Sequence, residues 1–226
     1  MTHVTEDDLD DLEFDTLRTG DHISAARRLA ELAESVSGGV SRAKVLLRAG
    51  EQWQHAGRHD KAAESYRMAI EDGGETYGDP RAYLADALFE LGRADEARKL
   101  VEEIRADDPR DPEVYRAVAE VLYAQGDAAG AHEWATRGVD VVLALRDRAV
   151  GTGMGAGSEA ATAGKAVAAG TAPDRTGDEP GPEDVAIAED SLEALLRLRY
   201  RARIDLGRAE DDYDALLDDL LKDNST

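Results

Sequence analysis

Four copies of one short pattern run through the first two-thirds of the chain: a glycine, an alanine five residues later, and an apolar slot four residues beyond that. Gly20 is followed by Ala25 and Leu29, Gly57 by Ala62 and Tyr66, Gly92 by Ala97 and Val101, and Gly126 by Ala131, with Ala135 in the last slot. The glycines stand 37, 35 and 34 residues apart, which is the length of one helical hairpin. A single hairpin cannot bury its own apolar face, so units repeated at this interval must stack on one another. The spacing therefore demands a row of paired helices.

Within each copy the apolar residues recur in three- and four-residue steps, the period of an amphipathic helix. The second copy is the clearest. Leu46, Ala49, Gly50 and Trp53 share one face of its first helix, and Ala62, Tyr66 and Ala69 share the facing stripe of its second. Small residues permit the two backbones to approach, so the sequence sets Gly50 opposite Ala62, Ala85 opposite Ala97 and Ala119 opposite Ala131. Gly57, Gly92 and Gly126 supply the left-handed corner that ends each first helix, while Pro109 and Pro112 stop one copy and start the next.

These residues resemble the tetratricopeptide repeat family over about residues 6 to 145. The family's slots before the turn are filled here by Leu46, Ala49, Gly50 and Trp53, then Arg81, Leu84, Ala85 and Leu88, then Tyr115, Val118, Ala119 and Leu122. The first copy departs most, with Glu13 where a small residue belongs and Thr16 where an aromatic does, and reads as an acidic N-terminal cap. The fold expected is all-α: a right-handed solenoid of antiparallel helix pairs, about four repeats long, spanning residues 1–147.

Helical periodicity lapses over 148–183, where glycine and proline accumulate, and this stretch is expected to be a flexible linker. It returns at 184–226. Leu192, Leu195, Leu196, Ala202 and Leu206 form one stripe and Tyr213, Leu216, Leu217 and Leu220 another, with Gly207 between them. Tyr200 and Asp212 occupy the close-contact slots of this pair, so a capping hairpin is expected rather than a regular fifth repeat.

Charge narrows the function. Acidic residues outnumber basic ones 49 to 27, for a net charge of −22, which repels a phosphate backbone and argues against nucleic acid. Cysteine is absent, excluding disulfides, thiolate metal sites and a cysteine nucleophile. The first fifteen residues hold seven acids and no lysine or arginine, the reverse of a secretory leader's basic start, and no apolar run is long enough to cross a membrane. A cytoplasmic location is the expectation. The preference for arginine over lysine and the single asparagine suggest a GC-rich bacterial genome.

The resemblance implies a concave wall formed by the first helix of each pair, which binds a segment of another protein. By helical spacing the candidate positions are Lys44, Arg48, Glu51 and His55, then Tyr83, Asp86, Phe89 and Glu90, then Arg116, Glu120 and Tyr123. Carboxylates mixed with aromatic rings suit a protein or peptide partner with basic and apolar anchors. Arg197, Arg199, Arg201 and Arg203 form the one basic cluster, read here as neutralising Asp205, Glu210, Asp211 and Asp212 or the acidic N-terminal cap, with capture of an acidic partner or a phosphate as the alternative. His55 and His59 have ligand-like spacing, but Gly57 breaks the helix between them and no third ligand is evident. Neither Gly151 to Gly157 nor Gly164 and Lys165 sit in the strand-turn-helix context that phosphate loops require. The chain thus reads as a non-enzymatic scaffold or adaptor without cofactor or metal. The alternative is a structural protein whose helical faces stack between copies as a homo-oligomer.

Overall fold

The computed structural model describes residues 2–155 and 182–223. Among the described residues the chain folds as ten helices and one pair of short strands. β1 (Thr2–Val4) leads to α1 (Glu6–Thr19) and α2 (His22–Ser35), and β2 (Val36–Gly39) follows. Then come α3 (Arg42–His55) with α4 (His59–Asp72), α5 (Pro80–Glu90) with α6 (Ala94–Ala106), and α7 (Pro112–Ala124) with α8 (Ala128–Gly155). A last pair, α9 (Pro182–Asp205) and α10 (Asp212–Asp223), closes the described chain. Apart from α6 and α7, consecutive helices pack on one another, and α3, α5, α7 and α9 also lie side by side. This is the all-α stack of helix pairs that the glycine spacing requires.

The corners form as the sequence dictates. Gly57, Gly92, Gly126 and Gly207 have φ of 69°, 71°, 78° and 63°, a conformation a side chain would strain. First helices begin on side-chain caps: Ser41 Oγ accepts from the Lys44 amide of α3 at 2.9 Å, and Asp79 and Asp111 accept from the Arg81 and Glu113 amides, each at 2.9 Å. Pro80 and Pro112 then occupy the first helical position, where no N–H is needed.

The close crossing takes a bulky ring. A methyl placed on Gly50 would lie 2.2 Å from the Tyr66 ring, so the Tyr66 ring is what Gly50 accommodates. One repeat and two repeats later the same pair of positions holds Ala85 with Val101 and Ala119 with Ala135. The largest partner is matched to the smallest residue, which explains why only this copy carries glycine there.

β1 and β2 depart from the purely helical expectation. They pair in parallel, Thr2 with Val36 and Val4 with Gly39, tying the start of the chain to the end of α2. Gly39 has φ of 87°, and a Cβ there would stand 1.8 Å from the Val4 carbonyl oxygen. With α1 and α2 this end of the stack keeps its own small core around Val4, Leu9, Leu29 and Leu46.

At the other end α9 packs on α8 and α7 as the first helix of a fifth pair would. Leu192, Leu195 and Leu196 are fully buried, and Gly138 of α8 admits them because it lacks a side chain: a Cβ would meet Leu195 and Tyr115 at 2.8 Å each. α10 does not complete a regular pair. Tyr200 stands where Gly50, Ala85 and Ala119 stand in earlier copies, and its side chain stays 41% exposed. Two buried arginines of α9 hold α10 instead. Arg199 donates to both Asp211 oxygens at 2.9 and 2.5 Å and to Thr136 of α8 at 3.0 Å, while Arg203 pairs with Asp214 at 2.9 Å. Tyr213 also donates to Asp140 of α8 at 2.6 Å. Half of the arginine cluster is thus internal cement.

α8 continues to Gly155, past residue 147 where the repeat array was expected to end. Of the rest of the expected linker, 156–181 lies outside the described residues and 182–183 begin α9.

Candidate partner-binding site

Between α3, α5 and α7, the first helices of three successive pairs, lies a pocket of about 330 Å³. Its floor is small and apolar: Ala82 from α5 and Ala117, Val121 and Ala124 from α7. The three from α7 recur at three- and four-residue steps, so one face of that helix supplies them. Around the floor stand three carboxylates, Glu51, Asp86 and Glu120, together with Gln54, His55 and the rings of Tyr66 and Tyr83. Among the described residues no lysine or arginine lines it.

Neutral donors hold two of these acids. Tyr77, from the loop between α4 and α5, donates its hydroxyl to Glu51, and the Gln54 amide donates to Asp86. Gln54 in turn accepts from Tyr66 at 2.9 Å, which locks the amide's orientation. Burial pushes the Glu51 carboxyl above its ordinary range, against the opposing pull of Tyr77 and Arg48. Burial likewise raises Asp86, and the nearby Glu90 adds to it. The Tyr83 hydroxyl is pushed up to about 12, chiefly by burial. Neither Glu51 nor Asp86 forms an ion pair among the described residues, so each carries a desolvation cost that a cation would offset.

Of the candidate positions, Glu51, His55, Tyr83, Asp86 and Glu120 come together here. The others do not. Lys44 pairs with Glu6, and Arg48 with Glu13 and, at 3.9 Å, with Asp10, because the acidic stripe of α1 lies over the start of α3. Arg48 also stacks 4.9 Å over Tyr77. Arg116 is braced between Glu113 at 2.5 Å and Glu120 at 2.8 Å. Tyr123 donates to Asp205 of α9 at 2.8 Å, and Glu90 accepts from Gln125 at 3.4 Å.

Phe89 is a correction. Its ring belongs to the main core and has the Arg98 guanidinium of α6 6.0 Å above it, so it faces its own pair and not the pocket. Tyr66 and Tyr77 were not among the candidates. Tyr66 reads from sequence as packing between paired helices, which it also does, and Tyr77 lies in a loop where no periodicity points to it.

Among the described residues no helix is long and apolar enough to cross a membrane. A search of curated proteins returned no match. Residues 54–121 match the family model for the tetratricopeptide repeat, a stretch that begins at Gln54 and ends at Val121, both of which line the pocket. The matched unit is one of a series of like helix pairs on either side of it, and over that stretch the chain is similar to the tetratricopeptide repeat.

Proposed function

We propose that this chain is a non-enzymatic scaffold or adaptor whose pocket between α3, α5 and α7 receives a segment of another protein through a basic side chain flanked by apolar ones. Tetratricopeptide repeats generally mediate contacts between proteins, and the family is typically without catalytic activity. The observation that carries the reading is the pocket's charge. Among the described residues three carboxylates share about 330 Å³ with no lining lysine or arginine, and two of them accept hydrogen bonds from the neutral donors Gln54 and Tyr77. A guanidinium or ammonium entering there gains their field and relieves their desolvation. The alanine floor and the Tyr83 ring accept the carbon stem of such a side chain, with the ring face favouring a cation.

Peptides selected from a random displayed library test this. Recovered sequences are expected to share a lysine or arginine next to apolar residues, and to lose about tenfold or more in affinity to the Asp86→Asn protein. Selected peptides without a common basic residue, or indifferent to Asp86→Asn, would falsify the assignment.

A further inference from the structure

The two ends of the stack expose matching stripes. On α1, Phe14 and Leu17 are 71% and 73% exposed, far more than aromatic and aliphatic side chains ordinarily are, and Asp10 and Asp11 stand one turn before them. On α9, Tyr200 and Ile204 are 41% and 52% exposed, and Arg197 and Arg201 flank them. Among the described residues Arg197 pairs with the half-buried i,i+4 partner Glu193, and Arg201 forms no ion pair. Neither stripe lines the pocket; within the fold Asp10 lies 3.9 Å from Arg48 and the Tyr200 ring 5.2 Å from the Arg203 guanidinium, while Phe14, Leu17 and Ile204 belong to neither core.

Read from N to C, each stripe gives charge, ring, aliphatic over seven residues: Asp10, Phe14, Leu17 on one and Arg197, Tyr200, Ile204 on the other. The signs are opposite. Alternate helices of the stack run in the same direction, so a first helix laid parallel against α9 would repeat the arrangement that α3, α5, α7 and α9 already share. At this position Tyr200, standing in a small-residue slot, stays exposed beside α10.

We propose that α1 of one copy docks in parallel on α9 of a second copy, with Asp10 and Asp11 against Arg197 and Arg201 and Phe14 and Leu17 against Tyr200 and Ile204. The two surfaces are different, so the contact is head to tail and passes from copy to copy. Two short stripes make an interface at the small, transient end of the range, and its charge pairing is screened by salt. The proposal does not depend on the pocket or its ligand.

Sedimentation velocity on the full chain, from about 5 µM to about 500 µM, tests it with two variants, Phe14→Lys and Tyr200→Glu. Both positions are exposed, so thermal melts of both should match the parent. The parent is expected to grow beyond a dimer with concentration, and less so as salt rises from about 0.05 M to about 0.5 M. Each variant alone stays monomeric, since one end is blocked, yet an equal mixture forms a dimer and nothing larger, through the intact tail of the first and the intact head of the second. A parent that remains monomeric throughout, a variant that still assembles, or a mixture that fails to dimerise overturns the proposal. A variant melting well below the parent also overturns it, since the stripe would then be covered within its own chain.

Discussion

At the scale of single residues, two positions show which physical term prevails. Replacing a helical glycine by alanine ordinarily adds about 1 kcal/mol of stability through helix propensity. At Gly50 the new methyl would sit 2.2 Å from a fully buried tyrosine ring, and overpacking of that kind costs about 1–3 kcal/mol. Gly50→Ala is therefore expected to destabilise, and Tyr66→Leu in the same chain to recover part of the loss. Urea melts of the two single variants and the double variant measure the coupling; additive losses would mean that the ring and the glycine do not meet. Asp86 shows a cost of the opposite kind. Burial raises its carboxyl, so the folded state binds its proton more readily than the unfolded chain, and stability falls as pH climbs from the unfolded value of 3.8 through the higher folded one. Asp86→Asn keeps an acceptor for Gln54 and removes the charge. Its melting temperature should exceed the parent's at pH 7, with the gap closing below about pH 3.8. An unchanged melting temperature at pH 7 would mean that water, and not protein, surrounds the carboxylate. A charge kept at a cost to stability is what a binding site retains.

Among the elements, those governed by local chemistry were legible and those governed by packing partners were not. Gly57, Gly92 and Gly126 announce three helix pairs because nothing but a left-handed corner explains glycine at that interval. β2 escaped the reading because Val36–Gly39 alternates no apolar pattern, and its pairing with β1 is set by backbone contact across α1 and α2. Five of the candidate site residues converge because helical spacing fixes which side chains share a face. Phe89 does not join them, since its burial depends on α6, and Arg98 in particular, which spacing along α5 cannot reveal. For α9 and α10 the basic cluster was legible as structural cement but not the division of labour within it, since Arg199 and Arg203 are 3% exposed whereas Arg197 and Arg201 face outward. That burial makes α10 vulnerable. Asp214→Ala would leave the Arg203 guanidinium, among the described residues, with the Arg208 carbonyl and the Tyr200 ring and no carboxylate, and a buried charge without its counter-ion costs about 3–5 kcal/mol. Hydrogen exchange should show protection across 212–223 falling in this variant while that of α3 to α6 is kept. Equal protection in both chains would mean that Arg199–Asp211, Tyr213–Asp140 and the apolar contacts of Leu217 hold α10 without Asp214.

For the molecule as a whole, the question is whether the stack behaves as a row of neighbours or as one block. Repeat arrays are stabilised chiefly by contacts between adjacent units, and the most crowded junction here is at Gly138, where α7, α8 and α9 meet. A side chain there faces Leu195 and the Cβ of Tyr115 at 2.8 Å; the leucine is fully enclosed, and the Cβ is fixed to the backbone of α7, so neither can give way cheaply. Gly138→Val would gain a few tenths of a kcal/mol in helix propensity and lose about 1–3 kcal/mol or more to strain, which leaves separation of α9 from α8 as the way to relieve it. In a row of neighbours the damage stays local. Limited proteolysis of Gly138→Val is then expected to cut within 182–223 at protease concentrations that leave the parent whole, while the stretch carrying α3 to α6 resists as before. If protection fell equally along the chain, the pairs would fold as a single block, and the pocket would feel every perturbation at the C-terminal end.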